Sequence, residues 1–314
     1  MVTIKKIEIT GFFGKGNFVW ELNSVVNILG GRNGSGKSTI FRFCYAVLSG
    51  ERFYETEDEF YSAIFENVVI TFSNEWTMRW SRKDNNSDYT LMMLKKGPQA
   101  FRNNAIQVFD NTGKQQSYGD FIGQLQVCLI NSFEQHSSKA SQYENQPKSQ
   151  PLDDPTMLDL MIKDQIDLRN KDFSKMMEDF VDAPDENENK RSEYVAAYKK
   201  IYSSLGFFLD GYDEPFKSSF EFTKNGHRIR FEKLSMGEKQ ILLLLLMVSN
   251  TNQKPCIFFM DEPDLSMHID WKEELVTRLH ELNPNMQIIL STHSPSVITG
   301  WHDKVKEVDQ LIKR

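Results

Sequence analysis

Apolar and polar residues alternate early in the chain, in TIKKIEIT (3–10) and NFVWEL (17–22), before a continuous apolar run, VVNIL (25–29). Period-two alternation predicts half-buried strands, and a short unbroken apolar run predicts a strand buried on both faces. IFRFCYAVL (40–48) then reads as a helix stopped by Gly50. Short strand-like pieces follow, NVVITF (67–72), WTMRW (76–80) and YTLMML (89–94), separated by Asn, Asp and Ser turns. They predict an antiparallel lobe. LQVCLINSF (125–133) returns to the core, and Gln135 to Pro155 is polar and rich in Gln, Ser and Pro.

Beyond that stretch, Ile162, Ile166, Phe173, Met177 and Phe180 share one helical face, and Tyr194, Tyr198, Ile201 and Leu205 share another. The acidic break DAPDENENK between them predicts a helical hairpin. FEFTKNGHRIRF carries Asn225-Gly226 at its centre, the signal of a two-strand hairpin. The remainder alternates helix, buried strand (CIFFM), helix (Trp271 to Leu282) and buried strand (QIIL). That order predicts an α/β fold with a mostly parallel core sheet, carrying the antiparallel lobe and the helical insertion. The expected divisions are residues 1–135, a polar linker at 136–155, the helical insertion at 156–206, and a C-terminal part at 207–314.

Composition narrows the function classes. The 314 residues carry a formal net charge of −7, which argues against gripping nucleic acid by bulk charge. Cys44, Cys128 and Cys256 lie far apart with no CxxC pair, so a reducing cytoplasm is the expected compartment. The N-terminus lacks the order of a secretory signal. The longest apolar run, Ile241–Val248, is eight residues. A bilayer needs about 20, so no membrane partner is expected.

The candidate chemistry begins at GGRNGSGKST (30–39), where Gly31 to Ser38 fit GxxxxGK[ST] at every position. Glycines allow positive φ, so that successive backbone N–H groups turn toward one anion, and the following helix adds its partial positive end. Gly31, Arg32, Asn33, Gly34, Ser35, Gly36, Lys37, Ser38 and Thr39 are therefore candidate nucleotide-binding residues. Lys37 would reach the β- and γ-phosphates and Ser38 would take a place on Mg²⁺. In CIFFMDEPD, Asp261 and Glu262 end a buried strand. Strand ends in α/β sheets present ligand groups, so Asp261 would hold Mg²⁺ and Glu262 would deprotonate the attacking water.

LSMGEKQ (234–240) admits two readings. Ser235 and Glu238 have the spacing of a capping box that opens a helix. Alternatively, the Ser235 hydroxyl, the Gly237 backbone and the helix N-terminus face a γ-phosphate. STHSP (291–295) follows the next buried strand and brings His293 within reach of the same phosphate.

Taken together, the loop GGRNGSGKST, LSMGEKQ, IFFMDEP and STHSP resemble ABC-type ATPases in order and spacing. The EPDLSMHIDW and STHSPSVI segments are similar to the soluble branch containing RecF, the Rad50/SMC heads and the overcoming-lysogenization-defect ATPases of anti-phage systems. The resemblance implies two MgATP sandwiched in a head-to-tail homodimer or higher oligomer, with Ser235, Met236, Gly237 and Glu238 acting in trans. It implies Gln135 as a Mg²⁺-sensing residue, with a polar loop residue as the alternative, and Asp264 in a loop crossing the dimer interface.

Met236 and Glu238 depart from the transporter pattern of Gly and Gln. No aromatic stands out for stacking on adenine; Phe12 and Phe13 offer either that contact or core packing. Each arm of the helical insertion spans at most about 25 residues and reaches less than about 40 Å, suited to docking a partner or to lying as a lid. No nuclease cluster follows His293, so the expectation is a separate nuclease or toxin as effector. The alternative is a DNA-binding ATPase of repair, since basic residues such as Arg79, Arg82, Arg228 and Arg230 are present but scattered among acids.

Overall fold

The computed structural model describes residues 2–50, 55–82, 106–130, 156–182, 192, 203–204, 206–208, 221–224 and 226–313. The chain forms two compact units. The first comprises Met1–Asn131, Pro255–Pro263 and Asn285–Arg314, and the second Ser132–Lys254 and Asp264–Pro284.

In the first unit, β3 (Val26–Gly30), β8 (Val127–Ile130), β11 (Cys256–Asp261), β12 (Met286–Ser291) and β13 (Val305–Glu307) form a five-stranded sheet. Its order is β13-β3-β12-β11-β8, and every pairing is parallel. Every residue of β3, β11 and β12 is buried, which is why these segments read as continuous apolar runs and not as alternation. A seven-stranded antiparallel sheet holds β1 (Ile4–Thr10), β2 (Asn17–Glu21), β4 (Asn67–Phe72), β5 (Thr77–Ser81), β6 (Ile106–Phe109), β7 (Gln115–Gln116) and β14 (Ile312–Lys313). Here alternation survives: every second side chain of β4, from Val68 to Phe72, is buried.

Helix α1 (Lys37–Ser49) fills the space between the sheets. Phe41 stacks on Trp20 of β2 at 6.5 Å and meets Phe259 of β11 at 5.6 Å. Gln287 of β12 is fully buried and substitutes for a strand edge: its side chain accepts from Ile4 N at 2.8 Å and donates to Ile4 O at 2.8 Å and Asn23 O at 2.7 Å. A buried amide satisfied on both ends fixes one sheet against the other.

Three features differ from the sequence expectation. Helix α1 begins at Lys37, three residues before Ile40, because the loop glycines end there and the helix needs no apolar residue to start. Helices α2 (Glu55–Ile64) and α3 (Tyr118–Ile122) and strands β6 and β7 lie outside the expectation: α2 is largely polar, and the other three run five residues or fewer. The C-terminal run β13, α7 (Val308–Leu311) and β14 also escaped prediction, although it adds an edge strand to both sheets. Tyr89–Leu94, the polar stretch with Gln135, and most of the second insertion helix lie outside the described residues.

The second unit packs α4 (Met157–Asp182), α5 (Met236–Asn250) and α6 (Ile269–Leu282), and carries the hairpin β9 (Glu221–Lys224) and β10 (His227–Arg230). Leu242 to Leu246 are fully buried, so the apolar run marks an interior helix. Two polar clasps join α4 to α5. The buried ion pair Lys239–Asp159 closes at 2.7 Å, and Arg169 donates to Ser249 Oγ at 2.7 Å. Among the described residues no helix is long and apolar enough to cross a membrane.

Candidate nucleotide site

The loop between β3 and α1 is shaped by its glycines. Gly31, Gly34 and Gly36 have φ of 143°, 74° and 101°, a region other residues enter at a cost. A side chain on Gly36 would meet the rings of Phe12 and Phe13 at 2.8 Å, so the loop lies tightly against that aromatic pair. Phe12 is fully buried, whereas Phe13 is half-buried and itself at φ 48°. A side chain on Gly34 would meet nothing within 4 Å, so the loop crest is open. The Ser35 hydroxyl is buried and finds no hydrogen-bond partner among the described residues.

Lys37 is the first residue of α1, and its ammonium turns back onto the loop. It donates to Gly31 O at 2.9 Å and Arg32 O at 3.4 Å, and lies 3.0 Å from His293 Nε2. Burial pushes the Lys37 ammonium below its ordinary pKa, against the pull of Glu262, Asp261 and Glu307.

Parallel pairing of β11 with β12 puts Asp261 beside Ser291 at the carboxyl ends of the strands. The Ser291 hydroxyl donates to Asp261 Oδ1 at 2.6 Å, and Ser291 O accepts from Glu262 N at 3.0 Å. Ser291 is thus a strut for both acids. The first residue of STHSP, it was given no role from sequence; the register supplies it, since two parallel strands ending level put their last residues side by side.

Glu262 sits at φ 49°, in the left-handed region, which turns the chain sharply as it leaves the strand. Its Oε1 lies 3.2 Å from His293 Nε2. Lys37, Asp261, Glu262 and His293, widely separated in sequence, therefore converge at one end of the parallel sheet. Ser38 and Thr39 follow Lys37 in the first turn of α1, both half-buried.

These residues fit a Mg²⁺-bound triphosphate. An open crest, three glycines at positive φ, an orphaned buried hydroxyl, a helix start, an ammonium and two strand-end carboxylates supply anion-binding and cation-binding groups together.

The remaining candidates belong to the second unit. Ser235 and Glu238 form the full capping box: Ser235 Oγ accepts from Glu238 N at 3.3 Å, and Glu238 Oε2 accepts from Ser235 N at 2.7 Å. Gly237 is required by packing, since a side chain there would strike Ser266 O at 2.5 Å. Asp264 is buried and ion-paired with Lys272 at 3.1 Å. Met236, Leu265 and Ile269 are 48%, 44% and 56% exposed.

Comparison with known proteins bears on the family and the fold. Residues 129–299 match the protein family described as "AAA domain, putative AbiEii toxin, Type IV TA system", and residues 6–205 match one described as "AAA domain". The chain is 31% identical over 143 residues to the Retron Vc95 probable ATPase of Vibrio cholerae serotype O1 biovar El Tor, covering 40% of this chain and 28% of that protein. It is 27% identical over 169 residues to the Retron Ec83 probable ATPase of Escherichia coli, covering 48% of this chain and 31% of that one. It therefore spans under a third of the length of these curated relatives.

Among solved structures, an SMC head bound to the C-winged helix domain of ScpA superimposes with a TM-score of 0.58 at 16% identity, over 97% of this chain and 94% of the other. The SMC head domain from Thermotoga maritima gives 0.53 at 15% identity, with the same coverage of 97% and 94%. Likeness at such identity concerns the fold. Each family match covers more than half of the 314 residues, and the chain belongs to the AAA-domain family, built on the fold of SMC heads.

Proposed function

We propose that the protein is an ATP hydrolase that closes as a head-to-tail homo-oligomer on MgATP and so controls a separate effector, a nuclease or toxin, in a defence assembly. The observation carrying the hydrolase reading is the convergence of Lys37, Asp261, Glu262 and His293 beside the glycine loop. Lys37 binds the β- and γ-phosphates, and Ser38 with Asp261 holds Mg²⁺. Bound by these residues, Mg²⁺ would supply neutralisation of the charge on the phosphates. Glu262, held in its unusual backbone conformation, takes the proton of the attacking water, and His293 positions it.

Residues 235–238 act on the nucleotide of a second copy. The exposed Met236, Leu265 and Ile269 support this as an apolar contact surface. Effector control draws support from the relatives named as retron ATPases and from the toxin named in the family description. A bound protein domain on an SMC head is a precedent for docking. DNA clamping in repair is the weaker reading: the basic strand β10 pairs Arg230 with Glu232 at 2.6 Å, which blunts its charge.

The test compares wild type, Lys37→Ala and Glu262→Gln. Wild type should hydrolyse ATP, Lys37→Ala should neither bind nor turn over, and Glu262→Gln should bind while hydrolysing about 10²-fold more slowly. Normal turnover in Lys37→Ala would sink the loop assignment. Tagged Glu262→Gln purified from its native cells with MgATP should bring a stoichiometric nuclease or toxin. Salt-sensitive DNA alone would instead establish the clamp.

A further inference from the structure

His293 Nε2 has two claimants. Lys37 Nζ lies 3.0 Å from it and Glu262 Oε1 lies 3.2 Å from it. A charged ammonium only donates and a carboxylate only accepts, so one imidazole nitrogen cannot satisfy both. While Lys37 donates to Nε2, the ring proton resides on Nδ1, and Glu262 faces a lone pair. For Glu262 to be held by a hydrogen bond, the proton must reside on Nε2, and then Lys37 has to leave.

We propose that this conflict is an exchange device: a β-phosphate that draws Lys37 from His293 transfers Nε2 to Glu262, orienting the general base only when nucleotide is in place. The proposal rests on the nucleotide-binding reading above. The proton count is unchanged, because the ring proton moves from Nδ1 to Nε2 through solvent and nothing is gained or lost. The surroundings are arranged for it. Lys37 keeps Gly31 O and Arg32 O as further acceptors, so it is held by carbonyls that a phosphate outcompetes. The side chains of His293 and Glu262 are 40% and 24% exposed, so solvent reaches the ring. Glu262 is anchored through its own N–H to Ser291, which leaves its carboxylate to be fixed by the imidazole. His293 is here a positioning residue for Glu262, and Lys37 reports that a phosphate has arrived.

The exchange has a signature that a simple γ-phosphate contact lacks. MgADP has no γ-phosphate, yet its β-phosphate still recruits Lys37. His293→Ala deletes the Lys37 contact of the free site and the Glu262 contact of the loaded one together, so its MgADP affinity should stay within about twofold of wild type, whereas a contact made in one state alone would shift it about fivefold, the scale of one hydrogen bond. In wild type with isotope-labelled imidazole, MgADP should move the His293 Nε2 resonance from its unprotonated to its protonated position.

A shift of about fivefold in either direction in folded His293→Ala overturns the exchange, as does an Nε2 signal that ignores MgADP. Failure of folded wild type to bind either ADP or ATP overturns the nucleotide reading itself, an outcome distinct from both.

Discussion

The glycine loop with its strand-end acids and the segment around Ser235 carry the two halves of one proposed reaction, yet they are built on opposite terms. In the first unit, polar groups are left in tension. Ser35 Oγ has no partner among the described residues, Glu262 is held at φ 49°, Lys37 is buried against its charge, and Nε2 of His293 is contested. In the segment around Ser235, the polar groups proposed to act in trans are satisfied at home, Ser235 by its capping box and Asp264 by Lys272, and the neighbouring Lys239 is paired with Asp159. Beside them the apolar Met236, Leu265 and Ile269 are exposed. A region that stores strain is suited to receiving a ligand, whereas one with satisfied polar groups and an apolar rim is suited to rigid docking.

The linkage of Lys37 fits the first half of that contrast. Its folded pKa is depressed, so the unfolded chain holds the proton more tightly. Stability is therefore reduced throughout neutral pH and recovers only as pH rises from the folded value toward the ordinary 10.5. The site carries this cost at neutral pH, while Lys239 and Asp264, the buried charges near Ser235, are paired.

The strongest way to break the comparison is to unpair the second unit. Asp159→Ala leaves the Lys239 ammonium buried without its partner and removes the carboxylate that accepts from Thr156 N at 2.9 Å. Chemical denaturation should show a loss of about 3–5 kcal/mol. Replacing both partners, as Asp159→Leu with Lys239→Met, should recover most of it. A loss under about 1 kcal/mol in the single variant would mean that the ion pair is slack, and the helix α4–α5 seam less rigid than its geometry.

A smaller effect is expected at Gly237→Ala. The new methyl meets a backbone oxygen, Ser266 O, at 2.5 Å, so the loop before α6 has to move. Overpacking of this kind costs about 1–3 kcal/mol, and the better helix propensity of Ala returns about 1. The net expectation is a loss of up to about 2 kcal/mol. A stabilised variant would show that the loop yields freely and that packing does not explain the glycine.

How much of this was legible in sequence follows the same division. The glycine loop, Asp261 and Glu262 could be read because each motif lies within one short stretch and its neighbours are unbroken apolar runs. The parallel sheet was legible from those runs, and the capping box from the Ser235–Glu238 spacing. Ser291 as a strut, Gln287 as a bridge between sheets and the Lys239–Asp159 pair were not, since each depends on residues brought together from distant segments. The C-terminal strands were missed for a related reason: β13 is three residues and β14 two, too short for any period to register.

The finest prediction separates strain from charge at Glu262. Glu262→Gly and Glu262→Val both delete the carboxylate facing Lys37 and His293, so both should lose hydrolysis alike, and any charge effect on stability cancels between them. They differ in what the backbone tolerates. Glycine enters φ near 49° freely, whereas a β-branched residue clashes there, at about 1–2 kcal/mol; the extra chain entropy of glycine takes back about 0.5–1. Glu262→Gly should therefore be the more stable of the two by about 1 kcal/mol, measured by denaturation under identical conditions. Equal stabilities would mean that the turn relaxes once the carboxylate is gone, so that the strain belongs to the side chain's contacts and not to the exit from β11. A gap as expected would assign the strain to the backbone, where it holds the carboxylate in place whichever partner His293 is serving.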